Sequence, residues 1–297
     1  MFPFTSRCPK PILPIMGKPL LQHQIEMMKT VGIRKIFVVI GYLGYEVVRT
    51  LGSGSELGAD IEYIEQDEAL GIAHAVGTLE DRVHNPFLLC LGDIFFVTDK
   101  LQTMLDYFVK EEAKAVLASK IEDRHEMIRR NFAIIEGKDG FVRRVIEKPR
   151  YIQTRLKGCG IYLFGLEIFD AIRRTPRTAM RDEYEITESI QIMINDGHPV
   201  THAQIIEEDL NLTVPEDLLY INLFELKKSG MTNFFLEEKS SSMDQKGISN
   251  CVIGKGVSIH QPVSLQNCVI FNDAVIAEGT KLSNAIITPD NLSLIHI

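Results

Sequence analysis

Short apolar runs that end in glycine alternate with amphipathic segments along the first 120 residues of the chain. Residues 35–41 form a continuous β-branched and aromatic run closed by Gly41, which is typical of a strand covered on both faces. Strands that alternate with helices in short steps predict a doubly wound parallel sheet, in which ligands bind at the carboxyl ends of strands. The other predicted strands span residues 60–65, 86–91 and 115–119, and the predicted helices span residues 20–31, 45–51, 71–79 and 101–110.

The pattern changes after residue 132, where two apolar runs flank the turn sequence Lys138-Asp139-Gly140, as in an antiparallel hairpin. We therefore predict one α/β domain over residues 1–228, a doubly wound, Rossmann-like mixed sheet. The polar stretch 229–247 is predicted to be a linker. The remaining predicted elements are the hairpin strands 133–136 and 142–147, strands 160–164, 201–206 and 210–214, and helices 167–174, 188–195 and 215–228.

Residues from Cys251 onward can be written in consecutive blocks of six, with a valine at Val257, Val263, Val269 and Val275. Period six with an aliphatic residue in each block predicts a short left-handed parallel β-helix over residues 248–297. The alternative is three ordinary short strands with turns. Because such solenoids need stacking at their ends, and about two coils fit here, we expect truncation or completion by a partner chain, and hence a homo-oligomer.

Composition limits the partners of this chain. The 297 residues carry a net charge of −8, so the surface as a whole should repel nucleic acid and anionic membranes. No apolar run approaches the roughly 20 residues that span a bilayer, and no signal peptide pattern opens the chain. The five cysteines are scattered without metal spacing, which indicates reduced thiols. We predict a cytoplasmic protein whose anionic substrates need a local cationic site.

The stretch from Pro9 to Pro19 holds four prolines, one glycine and two lysines. It cannot form a helix interior or a central strand, so it is predicted to be a loop of fixed shape. Such a loop can hold the cations of Lys10 and Lys18 in place before a helix begins, which makes it a candidate phosphate site. The alternative is a proline-rich surface turn with solvated lysines.

Four further positions carry polar groups suited to chemistry. Asp93 follows a buried strand, where a carboxylate can hold Mg²⁺, although aspartate is also common in turns and caps. Gln66 can donate to and accept from a base edge, and Gly71 lets backbone approach a flat ring. Residues 147–149, Glu-Lys-Pro, offer an acceptor for hydroxyls and a cation for phosphate, while Asn211 adds an oxygen donor. Taken alone, Gln66 is better explained as part of a polar turn, residues 147–149 fit a solvated charge run equally well, and Asn211 is unremarkable.

Together these motifs resemble the sugar-phosphate nucleotidyltransferases. The resemblance is closest to the glucose-1-phosphate thymidylyltransferase-like group that carries a C-terminal hexapeptide β-helix. It implies a reaction of a sugar 1-phosphate with a nucleoside triphosphate that gives an NDP-sugar and pyrophosphate, with Mg²⁺ as cofactor. The motifs, in family order, are Pro-Lys-Pro-Ile-Leu-Pro-Ile-Met-Gly-Lys-Pro at 9–19, Gln66 with Leu-Gly-Ile-Ala-His-Ala at 70–75, Leu-Gly-Asp at 91–93, Glu-Lys-Pro at 147–149 and Val-Pro-Glu-Asp-Leu at 214–218.

The resemblance also implies a role for each matching residue. Lys10 contacts the triphosphate near the α-phosphate, while Gln66 and the backbone at Gly71 read the base, which favours a pyrimidine nucleotide (dTTP or UTP). Asp93 holds Mg²⁺ together with Asn211. Lys148 takes the sugar phosphate, and the sugar-side contacts are assigned to Ala133, Glu147 and Glu185, the last from the Glu-Ile-Thr sequence.

This chain also departs from the family pattern. Asn211 stands where aspartate is frequent, Phe132-Ala133 replaces tyrosine-glycine, and Gly158 stands where asparagine is usual. The family opens with a buried strand and a glycine-rich loop that ends in arginine, followed by Leu-x-Pro-Leu-Thr. The residues from Met1 match only this last segment, so we expect weak transferase activity and a destabilised sheet. Two alternatives stay open: a non-catalytic homologue that binds nucleotide sugar and regulates a partner, and a bifunctional enzyme whose repeat, containing His260, transfers acyl groups.

Overall fold

The computed structural model describes residue 5 and residues 8–178, 182–237, 245–289 and 292–294. Within these residues, no helix is long and apolar enough to cross a membrane. The helices are α1 (Leu20–Thr30), α2 (Gly44–Leu51), α3 (Ile72–Gly77), α4 (Gln102–Lys110), α5 (His125–Arg129), α6 (Glu167–Arg173), α7 (Ile186–Asn195) and α8 (Pro215–Lys228).

The strands fall into two groups along the chain. The first group is β1 (Pro14–Ile15), β2 (Lys18–Pro19), β3 (Lys35–Ile40), β4 (Asp60–Glu65), β5 (Phe87–Cys90), β6 (Ile94–Val97), β7 (Ala115–Ile121), β8 (Phe132–Glu136), β9 (Val142–Glu147), β10 (Leu156–Phe164), β11 (Val200–Gln204) and β12 (Glu208–Asn211). The second group is β13 (Asn233–Phe235), β14 (Ile248–Ile253), β15 (Ser258–Ile259), β16 (Ser264–Ile270), β17 (Val275–Ile276), β18 (Lys281–Ile287) and β19 (Leu292–Leu294).

Strand β10 is the centre of the main sheet, and all nine of its residues are buried. It pairs antiparallel with β7, β5 and β8, while β11 lies parallel to β7. Tyr162 and Phe164 pack into an apolar cluster on one face, and Cys159, Ile161 and Leu163 pack into another on the opposite face. Because both faces are covered, residues 159–164 of this strand are apolar apart from one glycine.

Two smaller sheets lie beside the main one. Strands β3 and β4 pair in parallel, and β6 and β12 form an antiparallel ribbon. The mixed α/β sheet was predicted, and β4 and α8 have the predicted bounds. The short elements β1, β2, β6 and α5 were not predicted, because two to five residues give too little pattern to show a period.

The C-terminal strands stack in parallel. Residues of β14 pair with residues 17 positions later in β16, and β16 pairs with β18 at the same offset. Three blocks of six would give an offset of 18, so each repeat is one residue shorter than the sequence pattern predicts. These parallel strands are compatible with the predicted β-helix, whose handedness stays a prediction. Strand β13 lies inside the predicted linker and pairs in parallel with β14, so that part of the linker prediction is wrong.

The C-terminal stack is docked on the first domain through helix α8. Val252, Val269 and Ile286 occupy equivalent positions on three stacked strands and share one apolar cluster with Leu218 and Leu219 of α8. The same cluster contains Leu13 and Ile15 of the lysine-proline loop. The stack therefore adjoins the loop in which Lys10 lies.

Candidate active site

The lysine-proline loop is held by short-range structure and by helix α8. Lys10 begins a single 3₁₀ turn, and β1 and β2 form a miniature hairpin around Met16 and Gly17, which both have positive φ. The buried side chain of Asn222 accepts a hydrogen bond from the backbone N–H of Met16 at 2.8 Å and donates one to the carbonyl of Pro14 at 3.1 Å. The loop is thus fixed in shape, as its prolines predicted.

The two lysines of this loop point to different partners. The ammonium of Lys10 lies 3.3 Å from Oδ2 of Asp93, and both side chains are partly exposed. The ammonium of Lys18 instead lies 3.0 Å from the carboxylate of Glu26 on α1. Lys10 therefore faces the strand end where Asp93 was predicted to act, while the charge of Lys18 is neutralised by Glu26.

Asp93 and Asn211 lie at the same end of the β6–β12 ribbon. Asn211 pairs with Ile94, the residue after Asp93, and the backbone N–H of Leu212 donates to the carbonyl of Asp93 at 2.9 Å. The carbonyl of Gly160 accepts from the N–H of Leu91, which ties this end to the central strand. The structure thus brings together both residues predicted to hold a metal.

These two oxygen donors fit Mg²⁺. Magnesium is commonly bound through one or two carboxylates, with waters and substrate phosphates completing its ligands, rather than by an all-protein cage. Asp93 supplies a partly exposed carboxylate and Asn211 a neutral carbonyl. Across the described part of the chain, no group of three or more His, Cys, Asp or Glu side chains could hold a metal ion.

Gln66 and Gly71 lie together between β4 and α3. The amide of Gln66 donates a hydrogen bond to Nδ1 of His74 at 2.8 Å, which fixes the orientation of the side chain. The ring of His74 stacks on Tyr184. Gly71 has φ +105°, and a Cβ atom there would lie 2.6 Å from the carbonyl oxygen of Tyr184, so glycine is required by both backbone and space.

A second polar cluster surrounds the end of β9. Thr187 donates a hydrogen bond to Oε2 of Glu147 at 3.3 Å, and the buried Glu185 precedes α7. Burial, with smaller contributions from the charges of Glu147 and Glu185, raises the pKa of Tyr162 well above its ordinary value. The two glutamates predicted to contact the sugar therefore lie around one buried tyrosine.

Lys148 and Ala133 are adjacent to this cluster. Lys148 has φ +42°, an uncommon conformation for a side chain other than glycine, and its N–H donates to the carbonyl of Asn131 at 2.8 Å. Ala133 is buried and pairs with Ile146 of β9. Their predicted contacts with the sugar phosphate stay predictions.

The two departures at Phe132 and Gly158 are linked. Phe132 pairs with Gly158 across β8 and β10, and its ring occupies the space that a Cβ atom at residue 158 would need. The ring also stacks on Tyr162, with centroids 5.8 Å apart. A residue larger than glycine at position 158 is therefore incompatible with this placement of Phe132.

Sequence reasoning missed a buried ionic cluster beside the ribbon. The ammonium of Lys157 lies 2.5 Å from Oδ2 of Asp209, and both side chains are fully buried. Lys120 lies 3.3 Å from the other carboxylate oxygen of Asp209 and 2.8 Å from Glu208. A lysine inside the apolar run of β10 was the available signal, because such a charge needs a partner.

Comparison with known proteins identifies the family of this chain. Residues 1–210 match the family model described as nucleotidyl transferase. The low-salt glycan biosynthesis nucleotidyltransferase Agl11 of Haloferax volcanii is 31% identical over 232 residues, which cover 77% of this chain and 63% of that protein. A glucose-1-phosphate thymidylyltransferase of Streptomyces antibioticus is 31% identical over 233 residues, which cover 73% of this chain and 63% of that protein.

A solved structure has the same fold. UDP-glucose pyrophosphorylase complexed with UDP-glucose superposes with a TM-score of 0.66 at 21% identity, over 77% of this chain and 94% of that one. The chain belongs to the nucleotidyl transferase family. Within that family its relatives place it among the sugar-phosphate nucleotidyltransferases, as its motifs predicted. The chain spans about 63% of the length of these two curated relatives.

Proposed function

We propose that this protein forms an NDP-sugar and pyrophosphate from a sugar 1-phosphate and a nucleoside triphosphate. The observation that carries the proposal is the 3.3 Å pair of Lys10 and Asp93 beside Asn211, at the strand ends where a doubly wound sheet binds ligands. In this reaction an oxygen of the sugar phosphate attacks the α-phosphorus in line while pyrophosphate leaves. Catalysis is then mostly positioning and neutralisation of charge.

Each residue of the candidate site has its own proposed role in the reaction. Lys10 contacts the triphosphate near the α-phosphate, where its cation offsets charge that develops during transfer. Mg²⁺ held by Asp93 and Asn211 would supply further neutralisation of the phosphates. Lys148 binds the sugar phosphate. On the sugar side, Ala133, Glu147 and Glu185 contribute contacts.

The proposal extends to the base. Gln66 is held by His74 and lies beside Gly71, where backbone can approach a flat ring. We propose a pyrimidine nucleotide, dTTP or UTP, together with a glucose 1-phosphate-like sugar. The relative named as a glucose-1-phosphate thymidylyltransferase supports this choice. Pyrophosphate release measured with each of the common nucleoside triphosphates tests it, and a preference for ATP or GTP would contradict it.

Substitutions of Lys10 and of Asp93 test the catalytic assignment. Lys10→Met and Asp93→Asn should each lower kcat/KM by at least about a hundredfold, roughly 2.7 kcal/mol in barrier. Lys18→Met is the matched control, because Lys18 lies in the same loop but pairs with Glu26; its activity should stay within about threefold. Turnover within tenfold of the parent in both test variants would rule out the proposed roles.

Three weaker features belong to the same proposal. We expect slow turnover by the 297-residue chain alone, because strand edges that adjoin the lysine loop are unpaired among the described strands. We also propose a homo-oligomer in the cytoplasm, to be tested by native mass and cell fractionation.

Two other outcomes would favour the alternative functions. Tight binding of nucleotide sugar without turnover would favour the non-catalytic regulatory homologue. Acyl transfer that is lost in the variant His260→Ala would favour the bifunctional enzyme.

A further inference from the structure

The hydrogen bond between Gln66 and His74 has only one possible direction. Nε2 of Gln66 lies 2.8 Å from Nδ1 of His74. An amide nitrogen donates hydrogen bonds and does not accept them, so Nδ1 accepts this bond and the neutral ring carries its proton on Nε2. His74 thus uses one of the two N–H groups of the amide. It leaves the carbonyl oxygen Oε1 and the second N–H for another partner.

Two kinds of contact hold the ring of His74 in place. The ring stacks on Tyr184, with centroids 6.1 Å apart and an angle of 24° between the planes. The backbone that carries the two rings is also tied together. The N–H of Ala73 donates to the carbonyl of Tyr184 at 3.0 Å, and the N–H of Tyr184 donates to the carbonyl of Leu70 at 2.7 Å. Nδ1 therefore has a defined position beside the loop that carries Gln66.

The amide of Gln66 lies where a ligand can reach it. Gln66 directly follows β4, and its backbone N–H donates at 2.8 Å to the carbonyl of Ile40, the last residue of the parallel strand β3. A doubly wound sheet binds its ligands at the carboxyl ends of such strands. The side chains of Gln66 and His74 meet in a half-buried position. The remaining edge of the amide is therefore accessible from this end of the sheet.

The order of acceptor and donor on this edge distinguishes the pyrimidine bases. Uracil and thymine present an N–H at N3 beside the carbonyl O4, which matches an acceptor beside a donor. Cytosine presents the opposite pattern, with an acceptor at N3 beside an amino group. If the amide turned over, it would match cytosine. However, Oε1 and Nδ1, two acceptors, would then face each other unless the ring proton moved to Nδ1.

We propose that His74 is a positioning residue that selects uracil and thymine against cytosine by holding the amide of Gln66 in one orientation. The role of His74 rests on the proposed function, in which Gln66 reads the base. Its signature is selectivity between bases, because a ring that only supported the fold would affect all nucleotides alike.

Binding of UTP and CTP in the presence of Mg²⁺ tests this role, because the two nucleotides share ring size and triphosphate. Calorimetric titration of the full chain gives the Kd of CTP divided by the Kd of UTP. His74→Phe keeps a ring that can stack on Tyr184 and removes the acceptor, so it should lower this ratio at least about tenfold. His74→Asn is the matched variant, because it loses the ring and keeps an acceptor near the place of Nδ1. Its ratio should stay within about threefold of the parent.

A role of the ring in packing alone would give the reverse result, with selectivity kept in His74→Phe and lost in His74→Asn. That reversal would overturn the proposal. Each ratio compares two ligands of the same variant, so a partial loss of folded protein affects both titrations alike. Nitrogen-15 chemical shifts of the His74 ring in the parent chain require no variant. They should show an unprotonated Nδ1, and a protonated Nδ1 would overturn the proposal.

A double-mutant cycle tests whether His74 acts through Gln66. In a Gln66→Met background the amide is absent, so His74→Phe should leave the ratio unchanged. A further drop of about threefold or more would show that His74 acts on the base by another route, and would overturn the proposal.

The same titrations separate this proposal from the proposed function. A parent chain that binds neither nucleotide, or binds both equally, would contradict the base-reading role of Gln66 and the role of His74 with it. A parent chain that prefers UTP, with a ratio that His74→Phe does not change, would overturn the role of His74 alone.

Discussion

At the scale of single residues, the ion pair between Lys157 and Asp209 depends most strongly on the presence of both partners. Neither side chain is exposed, and the ribbon strand that carries Asp209 also carries Asn211. A buried charge that loses its partner costs more than the intact pair contributes, because the remaining charge stays desolvated. The pair therefore constrains the placement of β12 against the central strand.

Replacing one partner tests this constraint. Lys157→Met should lower the free energy of unfolding by about 3 kcal/mol, because Asp209 keeps only the more distant Lys120. The double variant Lys157→Met, Asp209→Leu should recover most of that loss in urea unfolding. Arg130→Met, which breaks an exposed pair with Glu126, is the control and should cost less than about 1 kcal/mol. A single variant as stable as the parent would show that the pair is dispensable.

A buried histidine links stability to pH. His202 bonds to Ser119 at 2.9 Å through Nδ1, and burial lowers its pKa below the ordinary 6.5, although Glu136 partly opposes the shift. The folded state thus favours the neutral ring, and the unfolded chain binds a proton more readily. The contribution of His202 to the free energy of unfolding is fully present above pH 6.5, and it is lost as the pH falls from 6.5 through the lowered pKa.

The variant His202→Gln should therefore flatten the pH dependence of stability just below pH 6.5. Urea unfolding at a series of pH values measures it, and His260→Gln, at an exposed position of the C-terminal stack, is the control. His23 also has a pKa lowered mainly by burial, so part of the slope should remain in His202→Gln. An unchanged slope would exclude His202 as its source.

At the scale of elements, α8 holds the lysine loop through Asn222. Asn222→Leu should raise KM for the nucleoside triphosphate and cost about 1–3 kcal/mol of stability, because the N–H of Met16 and the carbonyl of Pro14 lose buried partners. Steady-state kinetics and urea unfolding measure the two effects. Lys228→Leu, exposed on the same helix, should change neither. If Asn222→Leu keeps the parent KM, the loop does not depend on α8.

Elements with a strong local signal were predictable. Helix α8 begins at Pro215 as predicted, since proline suits the first turn, and β4, with six residues, is long enough to show a strand pattern. Strand β6 has four residues, and its partner β12 lies far along the chain, so no local sequence pattern predicts β6. Strand β10 was predicted only from Gly160 onward, because Lys157 and two glycines interrupt its apolar run.

The candidate site was predictable by residue type and order more than by contact. Lys10 and Asp93 are 83 positions apart, and only the folded sheet brings them together. The hydrogen bond between Gln66 and His74 spans eight positions, yet it depends on the turn at Gly71. The order of the motifs in the sequence predicted these residues. Pairings across strands, such as Lys157 with Asp209, could be found only in the structure.

At the scale of the whole molecule, the C-terminal stack and the first domain share one apolar cluster. Val269 is buried against α8, whereas Val275, six residues later in the sequence pattern, is 67% exposed. Val269→Ala should therefore lower stability by about 2 kcal/mol through lost burial and a residual cavity, and Val275→Ala by less than about 0.5 kcal/mol. Thermal unfolding of both variants checks this. Equal effects would mean that the stack is not docked on α8.

The stacked asparagines of the C-terminal strands set a fixed step along the chain. Asn250, Asn267 and Asn284 all have left-handed φ near +50°. The side-chain amide of Asn250 donates to Asn267 at 2.7 Å, and that of Asn267 donates to Asn284 at 2.8 Å. An insertion or deletion of 17 residues would keep every asparagine opposite another. A change of one residue would misalign the stack and turn inward side chains outward. Insertions and deletions in this part of the protein are therefore compatible with the stack only in units of one whole repeat.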